Sequence, residues 1–181
     1  DRMVRDYANY TYIVALAIIL FASDLIWLLA EERFHASSHL VPVVVLGYVF
    51  VFLYTLYFQY AAFQKRTELI SLNTLVAGAA NIALNYWAIP IYGYQAAAYT
   101  TLGSFALLFF MHWLNAKFVL KARVIPLSMV MPNFVLLCAA TAMYMYLCRV
   151  VDSYPLLFAV RLGTMGIALY LFVRSKRKQL G

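Results

Sequence analysis

Two residues stand out for the chemistry they could do, because Asp24 and Arg161 each interrupt a long and otherwise apolar run. An ionised side chain in hydrocarbon is costly, so each must find a partner, line a water-filled cavity or reach back to the interface with its tip. Asp24 lies about six residues, or about 9 Å, from the outer end of its run, and Arg161 about eight residues, or about 12 Å, from the outer end of its own. The two can therefore share a layer. Arg161 is a candidate cavity residue, with a structural or snorkelling arginine as the plainer alternative. Asn81 and Asn85 stand one helical turn apart beside Gly78, Ala79, Ala80 and Ala83, with Asn73 two turns earlier. Small residues and amides in that arrangement hold helices together by close approach and hydrogen bonds, and direct ligand contact is the second reading. His112, Asn115 and Lys117 could form a cationic mouth attractive to phosphate, although a lysine snorkelling to headgroups would look the same. Glu31, His35 and His39 recur every fourth residue, but without a cysteine or a fixed fourth ligand they are weak metal ligands, and no metal is expected. The sequence has no Gly-rich phosphate loop, no nucleophile elbow and no obvious acid-base pair, so neither catalysis nor a cofactor is expected.

The elements that must position these residues are membrane helices. The 181 residues are 66% hydrophobic, 17% aromatic and 12% charged, whereas a soluble domain carries about 25% charged residues. The 48 residues from Leu69 to Ala116 contain no Asp, Glu, Lys or Arg. As one helix they would run about 72 Å, while a bilayer core is about 30 Å thick, so the segment must cross twice and turn near Pro90 and Gly93. Apolar runs and their punctuation predict an all-α, polytopic bundle of about six transmembrane helices, near residues 10–30, 41–63, 69–89, 96–116, 127–148 and 153–173. No run alternates strictly enough for a barrel strand. The first is not expected to be a signal peptide, since no small-residue cleavage site follows it. The chain opens on Asp1 rather than Met, and its first residues read as the middle of a longer protein. Cys138 and Cys148, ten positions apart, are about 15 Å apart along one helix and read as small hydrophobes.

Basic residues set the expected orientation. With a cytoplasmic N-terminus, eleven basic residues (Arg2, Arg5, Lys65, Arg66, Lys117, Lys121, Arg123, Arg174, Lys176, Arg177 and Lys178) lie inside and two, Arg33 and Arg149, outside. Both chain ends are thus expected in the cytoplasm. Topology and attraction to anionic membrane lipid account for the net charge of +7, so no nucleic-acid partner is expected. Ser37 or Ser38 is an expected cap for the helix near Val41, and Asp152 or Ser153 for the last helix, with Pro42 and Pro155 in first turns. Tyr86, Trp87, Tyr92 and Tyr94 gather at the outer turn as interfacial anchors do.

The stretch KRTELISLNTLVAGAANIALNYWAIPIYGYQAAAYTTLGS, Lys65 to Ser104, resembles the polysaccharide flippases of the multidrug, oligosaccharidyl-lipid and polysaccharide exporter superfamily. The resemblance rests on Lys65, Arg66 and Thr67 entering a helix, Asn81 and Asn85 ahead of Ile89 and Pro90, then Gly93, Ala97, Ala98, Thr101 and Ser104. Leu46, Gly47 and Tyr48, after Pro42, extend it, and it covers about 80 residues, Arg33 to Ala116. Such proteins have twelve to fourteen helices in two lobes, so the resemblance implies that this chain is the C-terminal part and that an N-terminal lobe is missing. It also implies a bacterial or archaeal cytoplasmic membrane. The activity implied is flipping of an undecaprenyl-pyrophosphate-linked oligosaccharide for surface polysaccharide synthesis by alternating access. Arg161 is then the first candidate for a cation meeting the pyrophosphate, with Asp24 as gating or charge-balancing partner. The alternatives are an exporter of drugs or a flippase for another lipid precursor and, from other classes, a membrane-bound transferase or a structural scaffold.

Overall fold

The computed structural model describes residues 2–151 and 153–180, with side chains from residue 3 to residue 174 apart from 152. Asp1, the candidate cap Asp152 and Gly181 lie outside the described residues, as do the side chains of Arg2, Lys176, Arg177 and Lys178. The described chain is all-α. Its helices are α1 (Arg2–Leu20), α2 (Ala22–Leu29), a 3₁₀ helix (Glu32–Leu40), α3 (Val41–Phe63), α4 (Thr67–Tyr92), α5 (Ala96–Leu114) with a π turn (Asn115–Val119), α6 (Leu127–Val150) and α7 (Tyr154–Leu180).

Five segments are long and apolar enough to cross a membrane: Glu32–Phe63, Thr67–Tyr92, Ala96–Val119, Leu127–Val150 and Tyr154–Arg174. A sixth is counted if α1 and α2, bent by 67° at Phe21, form one span. Leu72, Leu75, Ile82, Tyr86 and Trp87 on α4, with Leu156, Leu162, Ile167 and Tyr170 on α7, are all exposed. Water would penalise that surface, whereas lipid or neighbouring helices accept it. The protein is a multi-pass, all-α membrane bundle.

The chain divides into two compact units, Asp1–Pro42 with Ser128–Gly181, and Val43–Leu127. In the first, α1 buries Ala8, Tyr12, Ala15, Leu16 and Ile19, and α6 buries Val130, Phe134, Leu137, Thr141 and Tyr144. Steps of three and four residues place each set on one helical stripe. The Tyr12 hydroxyl donates to the Val130 carbonyl (2.9 Å), and its ring meets Phe134 at 6.4 Å. α1 and α6 are thus tied together by a buried polar bond as well as by apolar packing.

In the second unit α3 buries Val49, Leu53, Tyr57 and Ala61. A Cβ at Gly47 would stand 3.4 Å from the Phe105 ring, so the missing side chain lets α3 approach α5 closely. α4 runs through Pro90 to Tyr92, and the turn into α5 falls at Gly93, whose φ of 76° suits glycine. The connector after α5 is fixed to α3: Tyr57 donates to the Ile125 carbonyl at 3.0 Å, and the Tyr60 hydroxyl accepts from the Ile125 N–H at 3.1 Å.

Local details depart from the sequence reading. Ser37 and Ser38 lie inside the 3₁₀ helix, which runs directly into α3, so neither stands at a helix start. Ser153 immediately precedes α7, with its carbonyl accepting the Leu157 N–H at 3.0 Å and Pro155 in the first turn. The run 10–30 is two helices meeting at Phe21, whose φ of −104° and ψ of 16° leave the helical range.

Candidate functional site

The site is built from the first unit, where α2, α6 and α7 supply its side chains. The Arg161 guanidinium on α7 pairs through Nη1 with Asp24 Oδ2, and the Tyr154 hydroxyl donates to Asp24 Oδ1 at 3.0 Å. The rings of Tyr144 on α6 and Tyr154 on α7 flank the guanidinium carbon at 5.6 Å and 5.7 Å. Both lie in the range where the negative ring face stabilises a cation. Burial is unequal, with 4% of the Arg161 side chain exposed against 35% of Asp24. Of the solutions open to a charge at this depth, the chain uses pairing. The acid partially covers a deeply enclosed cation from the more open side.

The pair does not use all that the guanidinium offers. Arg161 carries five N–H donors, and its buried Nε–H has no hydrogen-bond partner among the described residues. Such an orphan costs roughly 1–3 kcal/mol and leaves one donor of the guanidinium unused. Asp24 sits in the first turn of α2, where a negative charge also complements the helix dipole. Within α2 only Ala22 is buried, so the carboxylate rides on a lightly held element.

The remaining candidates lie in the second unit. Asn85 Nδ2 donates to Asn81 Oδ1 at 3.0 Å, and the Thr100 hydroxyl donates to Asn85 Oδ1 at 2.6 Å, which makes this pair a bridge from α4 to α5. Gly78 has open space around it and Ala79 and Ala83 are exposed, so these small residues are not pressed against a neighbour in this unit. Asn115 donates to the buried Asn73 at 2.9 Å, a second α4–α5 bridge. His112 and Lys117 do not form a cationic mouth. His112 is 2% exposed between the rings of Tyr54 (5.5 Å) and Phe58 (5.7 Å), while Lys117 is exposed with its ammonium over Trp113 and Phe118. Aromatic residues of α3 claim the imidazole before it can reach the helix end.

Glu31, His35 and His39 do not converge either. Glu31 pairs with Arg33 at 2.8 Å, while His35 and His39 contact the carbonyls of Ala30 and Ala36. In a 3₁₀ helix residues four apart diverge by about a third of a turn, so the α-helical ligand spacing is lost.

Sequence reading missed Tyr144 and Tyr154. Tyr154 was recoverable, because Tyr154, Phe158 and Arg161 follow one helical face in steps of four and three. It also missed the bond from Asn133 to Asn9, which lies along an apolar groove of about 320 Å³ between α1, α6 and α7.

No protein-family model matches the chain, and no curated protein or solved structure matches it significantly.

Proposed function

We propose that this chain is the C-terminal part of a twelve- to fourteen-helix transporter that flips a lipid-linked oligosaccharide, an undecaprenyl-pyrophosphate glycan, across a bacterial or archaeal cytoplasmic membrane for surface polysaccharide synthesis. One observation carries the reading. A permanently charged arginine sits inside an apolar helix, enclosed but for a partly open carboxylate, next to a helix broken within its apolar run. Intramembrane charges and discontinuous helices mark substrate and ion paths in transporters. The likeness of residues 65–104 to polysaccharide flippases supplies the substrate class.

In this reading Arg161 meets the pyrophosphate, its planar donors matching phosphate oxygens two at a time. Asp24 balances the charge while the site is empty. The lipid tail stays toward the bilayer, and no bond of the substrate is made or broken, so the protein is not an enzyme.

Transport by the full-length protein tests it, with surface expression held equal. Arg161→Lys keeps the charge but loses the planar fork, and Arg161→Gln loses both. The expected order is wild type above Lys above Gln. Equal transport by all three would return Arg161 to a structural role, and export of cationic drugs in preference to lipid-linked oligosaccharide would replace the substrate.

A further inference from the structure

Asp24 makes the contacts that a phosphate group would make. Its two oxygens take one donor from the Arg161 guanidinium and one from the Tyr154 hydroxyl. A carboxylate and a phosphate both present paired oxygens to a guanidinium. The carboxylate satisfies only part of the donor set, however, because Arg161 Nε is buried without a partner among the described residues. A phosphate, with three terminal oxygens, has an acceptor to spare for it.

The carrier of that carboxylate is suited to withdraw. α2 has eight residues, one of them buried, and no side-chain cap at its start. It joins α1 through Phe21, where the backbone already leaves the helical range and the axis turns by 67°. Hinges are a few element-terminal residues that absorb such φ/ψ change. Arg161, in contrast, is 3% exposed on a 27-residue helix. Of the two partners, Asp24 is the one that can move.

We propose that Asp24 is a built-in competitor: it occupies the Arg161 anion site of the empty protein and is displaced by the phosphate oxygens of the ligand, with α2 swinging about Phe21. This rests on the reading of Arg161 as the ligand's cation and adds that the empty site holds its own substitute anion. Arg161 thereby avoids standing unpaired in the membrane between transport cycles, and binding becomes an exchange of one anion for another. An exchange reverses more readily than capture by a bare cation, which suits a site that must also release.

The test is equilibrium binding of farnesyl pyrophosphate and of inorganic pyrophosphate to the full-length protein in phosphatidylcholine nanodiscs. Asp24→Asn removes the competing charge at nearly constant shape and is expected to bind both probes at least about tenfold more tightly than wild type, the scale of one lost charge-assisted contact. Arg161→Gln should lose binding, and Asp24→Asn with Arg161→Gln should behave like Arg161→Gln alone. Binding that requires Arg161 but is no tighter in Asp24→Asn overturns the competitor and leaves the proposed function standing. Binding indifferent to Arg161 overturns both. A gain confined to the lipid probe would show that Asp24 does not compete with phosphate oxygens.

A second measurement leaves the pair intact. Spin labels at Leu28→Cys and Leu162→Cys, both exposed positions, with Cys138 and Cys148 replaced by alanine, report the separation of α2 and α7. Farnesyl pyrophosphate is expected to change that separation in the presence of Asp24. An unchanged distance distribution at saturating probe overturns the displacement.

Discussion

Cutting the Asp24–Arg161 pair from either side should produce unequal costs, and the inequality follows from burial. Asp24→Leu leaves a guanidinium that is 4% exposed, with one hydrogen bond gone and Nε already without a partner among the described residues. Breaking a fully buried pair costs about 3–5 kcal/mol. The two flanking tyrosine rings retain part of that stabilisation, at about 0.5–2 kcal/mol for cation–π contacts, so about 2–3 kcal/mol is expected. Arg161→Met leaves Asp24 still accepting from Tyr154 at 3.0 Å and still in the first turn of α2, where the helix dipole offsets part of its charge. That change should cost about 1–2 kcal/mol, because two of the carboxylate's three favourable interactions remain. The double variant carries no stranded charge and should fall within about 1 kcal/mol of wild type. Reversible unfolding of the four proteins in mixed micelles closes the cycle. An Asp24→Leu cost no greater than that of Arg161→Met, or two costs that simply add in the double variant, would rule out a buried, mutually compensating pair.

Three further outcomes are expected. Replacing Asn81 and Asn85 together with leucine should cost about 0.6–2 kcal/mol for the interhelical bond lost between Thr100 and Asn85, read by the same unfolding assay; unchanged folding with abolished substrate binding would instead reveal a ligand role. Lys65 and Lys121 hold φ of 55° and 49° just past the ends of α3 and the π turn, so Lys65→Gly or Lys121→Gly should gain up to about 1 kcal/mol, whereas Lys121→Val should lose a similar amount. Thiol labelling of intact cells should reach Ser37→Cys from outside, and residues 64–68 only after permeabilisation, with labelling of Ser37→Cys solely from the cytoplasm reversing the orientation.

The helical, membrane-embedded character was legible because it depends on composition and run length, which one sequence displays completely. That Asp24 and Arg161 could share a layer was legible for a related reason: charge is rare in an apolar helix, and counting residues from the helix ends gives depth, although depth does not say which faces meet. The bend at Phe21 was not, since residues 17–25 contain neither glycine nor proline and nothing local breaks the helical pattern. The surroundings of His112 were hidden for a different reason. Tyr54 and Phe58 lie more than fifty positions earlier and reach it only once α3 packs on α5. The asparagine pair itself was visible, but its partner Thr100 lies across the turn at Gly93, and turn geometry decides which hydroxyl arrives.

Stability and function make opposite demands on the Asp24–Arg161 arrangement. Buried ion pairs are often replaceable by packed apolar residues without loss, so folding alone gives little reason to keep a charge pair in a membrane helix. Folding alone gives even less reason to interrupt the helix bearing the acid, because a continuous helix satisfies its backbone within the bilayer and a broken one must find other partners. Here both features occur together, and the break places Asp24 in the first turn of α2, where one short side chain complements the helix dipole, the guanidinium and the Tyr154 hydroxyl at once. A carboxylate serving three positive ends from a lightly packed helix is better suited to exchange than to cementing a fold. The apolar double variant separates the two demands. Near-native stability with transport lost would assign the pair to the substrate, whereas near-native stability with transport intact would leave it a replaceable contact.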